Sequence, residues 1–198
     1  RDVLIPRAET EELVTHVLDW ATNEGRWGVA ADVGTGTGAI ALSLATEGKF
    51  DRVIATDISS AALEVAQGNI DRVHAKTPVE LRLGSLLDPL ADRVNVLVSN
   101  PPYLTSAECE QLGPEVRNFE PRLALDGGED GLDPYRLLIA GASSRLVAGG
   151  LLALEIDSRR PQSVKAMAGA AGWLDVRVIN DAFGRARYLL ATNGKREP

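Results

Sequence analysis

An apolar run from Val94 to Ser99 ends directly in Asn100-Pro101-Pro102-Tyr103. Two successive prolines remove two backbone donors and fix two φ angles, so the carbonyl oxygens after the asparagine are stiffly aimed. The Asn100 side-chain oxygen and the Pro101 carbonyl together accept two hydrogens. Two hydrogens on one planar atom is what an amide or exocyclic amino nitrogen offers. Its lone pair is delocalised, so alkylating it requires gripping those hydrogens and aiming the nitrogen at the electrophile. Pro102 keeps the loop stiff, and Tyr103 offers an aromatic face against which a flat target can stack. No strong base is required, because the nitrogen becomes acidic only as the new bond forms, and in-line positioning supplies up to about 7–11 kcal/mol of barrier. Taken alone, the tetrapeptide also reads as a rigid strand-to-loop connector, since Asn-Pro favours turns.

A second constellation lies upstream, in Asp32-Val33-Gly34-Thr35-Gly36-Thr37-Gly38-Ala39-Ile40. Glycines let the chain turn sharply and let a ligand approach the main chain, and the helix that follows presents unpaired N–H groups. The spacing also fits a dinucleotide pattern, G-x-G-x-x-A, with Ala39 in the third place. Asp57, nineteen positions after Gly38, is placed to accept both hydroxyls of a ribose. NAD and S-adenosylmethionine both carry a ribose, and the remainder of the chain separates them. Nothing supplies the proton donor and substrate clamp of a hydride-transfer site, whereas the nitrogen-gripping tetrapeptide calls for a methyl donor. The local alternative is a structural glycine turn, with Asp57 capping a helix before Ser59 and Ser60.

The elements that must hold these two motifs alternate between strand-like and helical patterns, the signature of an α/β fold with a parallel sheet covered on both faces. Strands are predicted at Val29–Val33, Arg52–Asp57, Val79–Leu83, Val94–Ser99, Leu151–Ile156, Asp175–Ile179 and Tyr188–Ala191. Helices are predicted at Glu9–Asn23, Ala39–Glu47, Ala61–Val73, Pro134–Ala148 and Pro161–Ala171. The last two strands are joined by too few residues for a helical crossover and should form an antiparallel hairpin at one side of the sheet. Leu104 to Asp133 is the one long irregular stretch, and its start at the tetrapeptide favours a lid.

The 198 residues suffice for one such domain. Hydrophobic residues at 44% and charged residues at 25% are ordinary for a globular chain. A net charge of -7 repels phosphate backbones, so no direct nucleic-acid binding is expected. With His16, His74 and Cys109 scattered, no metal site is expected, and the single cysteine forms no internal disulfide. No apolar run spans a bilayer and Arg1-Asp2-Val3-Leu4 is unlike a signal peptide, so no membrane association and a cytoplasmic location are expected. Trp20, Trp27 and Trp173 read as packing residues, and Cys109 as incidental.

Together the motifs resemble the amino-methyltransferase group of Rossmann-like methyltransferases, whose fourth-strand signature is (Asn/Asp/Ser)-Pro-Pro-(Tyr/Phe/Trp). More narrowly, the chain is similar to the protein-(glutamine-N5) methyltransferases that modify peptide chain release factors. The likeness runs from Val3-Leu4-Ile5-Pro6-Arg7-Ala8-Glu9-Thr10-Glu11 to Phe119-Glu120-Pro121-Arg122-Leu123-Ala124-Leu125-Asp126-Gly127-Gly128, Gly131-Leu132 and Gly184-Arg185. It implies a seven-stranded, mostly parallel sheet with an antiparallel last strand, and methylation of the glutamine amide in a Gly-Gly-Gln tripeptide. It also implies that S-adenosylmethionine is held by Gly34, Thr35, Gly36, Thr37, Gly38, Asp57 and Ile58, with Ser85 and Leu86 beside adenine. Asn100 to Tyr103 would hold the glutamine, Asn100 bordering the cofactor, and Arg7 and Thr10 would close over it. Gly127 to Gly131 would take part in closing. On this pattern residues 1–27 are a leading segment and helix, residues 28–198 are the methyltransferase domain, and the family's small N-terminal helical domain is absent. Three departures stand out: Ser85 for the usual Asp, Ala8 for Pro, and Asp157 for a Gly that commonly follows the fifth strand. The alternative acceptors are a nucleobase and a ribosomal-protein glutamine; a non-catalytic binding module is the remaining reading.

Overall fold

The computed structural model describes residues 3, 7–113, 116 and 121–194. Leu4, Ile5, Pro6, Phe119 and Glu120, which carried part of the resemblance, lie outside the described residues. Seven strands form one sheet in the order β3-β2-β1-β4-β5-β7-β6. They are β1 (Val29–Val33), β2 (Arg52–Asp57), β3 (Val79–Leu83), β4 (Val94–Ser99), β5 (Leu146–Glu155), β6 (Leu174–Asn180) and β7 (Ala186–Thr192). The helices are α1 (Ala8–Glu24), α2 (Ala39–Glu47), α3 (Ser60–Val73), α4 (Ser106–Glu110), α5 (Asp133–Ala142) and α6 (Pro161–Ala170), with a 3-10 turn at Arg122–Ala124.

The near-continuous apolar runs of β1, β2 and β4 become the buried interior of the sheet, as parallel strands covered on both faces require. Their period of two divides the side chains between two cores. Val96 and Val98 face α1 and α2 with Leu13, Val17 and Leu44, while Leu97 faces α5 and α6 with Tyr135, Leu138 and Val164. Each fully buried leucine or valine stabilises by roughly 1.5–3 kcal/mol. The expected hairpin is present: β6 forms the edge, and β7 returns between β5 and β6, antiparallel to both.

The chain runs outward from β1 to β3 and then crosses back to pair β4 with β1, with Ala31 opposite Leu97 and Asp32 opposite Val98. The reversal opens a crevice beyond the carboxyl ends of these two neighbouring strands. Both chemical motifs emerge there. The Ser99 hydroxyl, fully buried, donates to the Val33 carbonyl at 2.6 Å and joins the two strand ends.

Two boundaries differ from expectation by more than two residues. The helix predicted to run to Ala148 ends at Ala142, and β5 begins at Leu146. Leu146 pairs with Val94, and the register then shifts before Leu151 pairs with Val96; Gly149, at φ 69°, lies within this irregular stretch. The lid stretch also contains α4, which sequence periodicity did not reveal. Its cap is a reciprocal pair in which the Thr105 hydroxyl accepts from the Glu108 N–H and the Glu108 carboxylate accepts from the Thr105 N–H.

Candidate active site

The glycine loop is tied down from two sides. Gly34 and Thr35 both donate their N–H groups to the Thr56 carbonyl at 2.9 Å. Gly36, at φ 54°, donates its N–H to Asp57 Oδ2 at 2.9 Å, and Ser59 donates to Asp57 Oδ1 at 2.9 Å. Each carboxylate oxygen retains a lone pair for a further donor such as a ribose hydroxyl. Thus Asp57 holds the loop as well as facing the cavity, a double duty that spacing alone did not reveal.

Asp32 is a residue to which the sequence reading gave no role. It is fully buried, and its Oδ2 accepts from the Thr35 hydroxyl at 2.6 Å and the Ala41 N–H at 3.1 Å, pinning both the loop and the start of α2. Burial pushes its carboxyl up to about 7, against the pull of those two hydrogen bonds. The other oxygen, Oδ1, is buried without a partner among the described residues. The signal was present in the sequence: an acid inside an otherwise buried apolar strand, next to the glycines.

A cavity of about 570 Å³ opens over these groups. One wall is Gly34 to Thr37, Asp57, Ile58, Ser85 and Leu86; the other is Thr10, Asn100 and Pro102, roofed by Leu123, Asp126 to Gly128 and Leu137. The Ser85-Leu86 turn is held by the Thr56 hydroxyl, which donates to the Leu86 carbonyl at 3.3 Å, and Leu86 sits at φ 44°. Ile58 is half exposed, an apolar surface beside Asp57.

Four of the predicted residues are not among those lining the cavity. Gly38 lies beneath it, where a side chain would press on Ala66 Cβ at 3.2 Å. Pro101 is buried. Tyr103 packs against the core on the α5 side, and burial raises its phenol. Arg7 stands just before α1, its carbonyl accepting the Thr10 N–H at 2.9 Å.

Asn100 is oriented by a neighbour on the same cavity wall. Its Nδ2 donates to the Thr10 hydroxyl oxygen at 3.2 Å, and that hydroxyl donates to Glu155 Oε2 at 2.9 Å. Thr10 and Glu155 are both buried, Glu155 at the carboxyl end of β5. Burial raises the Glu155 carboxyl, while the Thr10 hydroxyl and the charges of Arg187 and Arg7 act in the opposite direction.

The lid rests directly on the tetrapeptide backbone. Leu104 donates to the Leu125 carbonyl at 2.9 Å and accepts from the Gly127 N–H at 2.7 Å. A side chain at Gly127 would meet the Pro102 carbonyl oxygen at 2.8 Å, and one at Gly131, already at φ 74°, would meet the Tyr103 carbonyl oxygen at 2.4 Å. Asp157 contributes a second fastening. It accepts from Arg159 Nη2 at 2.7 Å and pairs with Arg160, while Arg159 also pairs with Glu108 of α4. Burial alone would raise Glu108, but the Thr105 N–H, Arg159 and the Thr105 hydroxyl outweigh it and hold its carboxyl at about 2. The departure at Asp157 therefore comes with arginines that link the end of β5 to the lid.

The volume, the glycine wall and the acid at the second strand fit a nucleoside joined to an amino acid, which is the shape of S-adenosylmethionine. Side chains at Gly34 or Gly36 would meet no protein atom within 4 Å, so their small size leaves room on the cavity side. Among the described residues no group of three or more His, Cys, Asp or Glu is placed to hold a metal, and no helix is long and apolar enough to cross a membrane.

Comparison with known proteins agrees with this geometry. The sequence family described as Methyltransferase small domain matches residues 10–113. A solved methyltransferase from Pyrococcus furiosus superposes with a TM-score of 0.68, at 22% identity over 92% of this chain and 83% of that one. Fold and site together define a Rossmann-like, S-adenosylmethionine-dependent methyltransferase. The release factor glutamine methyltransferase of Moorella thermoacetica is 49% identical over 96% of this chain and 67% of its own length. That of Cereibacter sphaeroides is 42% identical over the same shares. The chain belongs to the release factor glutamine methyltransferase family, and it spans about two thirds of the length of these relatives.

Proposed function

We propose that the protein transfers a methyl group from S-adenosylmethionine to the side-chain amide nitrogen of the glutamine in the Gly-Gly-Gln tripeptide of a peptide chain release factor. The observation that carries the reading is the polarity of Asn100: its nitrogen is committed to Thr10 at 3.2 Å, which leaves its oxygen as an acceptor at the cavity wall. An acceptor suits an amide NH2 and opposes a lone-pair nucleophile. The names of the relatives supply the substrate, and a cytoplasmic site of action follows from it.

S-adenosylmethionine supplies an electrophilic methyl on a sulfonium. Gly34 to Thr37 take its amino-acid portion, with Gly38 closing the turn beneath them, Asp57 takes its ribose hydroxyls, and Ile58, Ser85 and Leu86 flank the adenine. Arg7, just before α1, sets its positive charge near Tyr103 and Glu155 on the acceptor side. The Asn100 oxygen and the Pro101 carbonyl accept the two amide hydrogens, and hydrogen bonds to both concentrate electron density on the nitrogen as it becomes a nucleophile. Pro102 and the lid glycines hold that geometry, while Tyr103 anchors the loop on the core. Residues 28–198 form the catalytic domain, with residues 1–27 leading into it.

The test is to incubate the protein with S-adenosylmethionine and a purified release factor and locate the added methyl by mass spectrometry. The expected product carries one methyl on the Gly-Gly-Gln glutamine. Methyl on a base of added RNA, with none on that glutamine, would overturn the reading.

A further inference from the structure

Thr10 was expected to close over the cofactor; its contacts give it and Glu155 a different task. We propose that Glu155, acting through the Thr10 hydroxyl, is a positioning residue that fixes which end of the Asn100 amide faces the substrate. The inference rests on the reading of Asn100 as the acceptor of the substrate amide.

An asparagine side chain is nearly symmetric in shape, and its two ends differ only in hydrogen bonding. Rotating it by half a turn would present NH2 to the NH2 of the substrate, two donors facing each other. Packing cannot prevent that rotation, but a neighbour with fixed polarity can. Thr10 has one hydroxyl proton, and Glu155 Oε2 takes it at 2.9 Å. As a carboxylate Glu155 is acceptor only, and with the Thr10 hydroxyl donating to it the proton is turned away from Asn100. The Thr10 oxygen therefore faces Asn100 as an acceptor, and only Nδ2 satisfies it, at 3.2 Å. The carboxylate thus determines the polarity of a site it does not touch. Glu155 is itself held in place from the backbone: its carbonyl accepts the hydroxyl of the buried Tyr135 at 3.0 Å.

Three other charged clusters are explained locally. The Arg52–Asp92–Arg82 and Arg136–Asp130 clusters pair on the surface, and Asp181 fastens the β6–β7 turn through Arg185. Glu155 differs in being buried at the active centre with its carboxylate turned toward the tetrapeptide through a single hydroxyl.

The experiment compares Glu155→Gln, Thr10→Val, Thr10→Ser and Asn100→Ala, each checked for a cooperative melt. Single-turnover rates are measured with release factor, and cofactor affinity by calorimetry. Glu155→Gln offers Thr10 an NH2 as well as an oxygen, so the hydroxyl proton is no longer fixed away from Asn100; Thr10→Val keeps the shape and removes the hydroxyl. Both should lower the rate roughly 10- to 100-fold with cofactor Kd within about threefold, as for loss of an aligned polar group. Thr10→Ser should recover most of the rate. Thr10→Val added to Asn100→Ala should cost little more than Asn100→Ala alone, because both act through one contact. Normal rates in Thr10→Val beside an inactive Asn100→Ala overturn the relay and leave the reading of Asn100 standing. A fully active Asn100→Ala instead overturns that reading. A parallel loss of rate and cofactor affinity in Thr10→Val, unrescued by Thr10→Ser, assigns Thr10 to the cofactor and also overturns the proposal. Should Glu155→Gln fail to fold, the two Thr10 variants decide the matter.

Discussion

Asp57 accepts the backbone N–H of Gly36 at 2.9 Å, so the carboxylate at the end of β2 and the glycine loop after β1 form one unit. A ligand that engages the acid therefore meets a loop already fixed at its working height.

Asp57→Ala should consequently weaken S-adenosylmethionine binding by more than the loss of ribose contacts alone, on the order of a hundredfold, since hydrogen bonds to a charged group contribute about 1.5–3 kcal/mol. Asp57→Asn, which keeps an acceptor for either the ribose or Gly36, should fall between. Calorimetric titration measures both; an unchanged Kd in Asp57→Ala would move the ribose contact elsewhere.

Asn100→Ala should leave cofactor affinity within a fewfold of the parent while methyl transfer slows by about a hundredfold or more. The split is the diagnostic, and paired calorimetry and single-turnover rates read it. Near-normal turnover contradicts the acceptor role.

Gly131→Ala sets a methyl group against the Tyr103 carbonyl oxygen, at 2.4 Å before relaxation, on a backbone at φ 74°. Gly25→Ala has nearly the same backbone, φ 62°, with nothing within 4 Å, and so measures strain alone. Both should lose roughly 1 kcal/mol or more of stability to strain, read as a lower melting temperature, but only Gly131→Ala should also slow turnover by shifting the tetrapeptide. Equal kinetics in the two variants would remove the lid from the control of that loop.

The buried Asp32 makes a pH prediction. Its carboxyl is raised to about 7 when folded, against 3.8 unexposed to burial, so between those values folding takes up a proton and stability falls as pH rises. Below about 4 the group is neutral in both states and this cost vanishes. Asp32→Asn removes that component, an upper bound of about 4 kcal/mol at full ionisation. The difference in melting temperature between variant and parent should drift in favour of the variant from pH 4 to 8. A flat difference over that range would show that Asp32 stays ionised throughout.

The strands beside the site were legible from two patterns: β1, β2 and β4, buried in the sheet interior, show near-continuous apolar runs, and the edge strand β3 alternates as Val79-Glu80-Leu81-Arg82-Leu83. Val29–Val33, Arg52–Asp57, Val79–Leu83 and Val94–Ser99 have the predicted bounds. Val147 and Ala148 were not, since two apolar residues after a helix suit either another turn or a strand. The five residues of α4 are too few for periodicity to register, although Thr105 and Glu108 carried its capping signature. In the site, everything confined to a few consecutive residues was visible: the glycine loop, Asp57 and the tetrapeptide. The contact between Thr10 and Glu155 spans 145 positions, and no local pattern encodes it. Asp32 was visible as a letter, but its meaning depended on complete burial.

The bond from Ser99 to Val33 gives the sheet a metrological function. The glycine loop leaves the end of β1 and the tetrapeptide leaves the end of β4, so the spacing of their two attachment points is that of neighbouring strands, about 4.8 Å, a constant of peptide geometry. The covering stretch adds its own constraint: Gly127 and Gly131 lie against the Pro102 and Tyr103 carbonyls, so a change there made to admit a different acceptor would also reset the tetrapeptide that grips it.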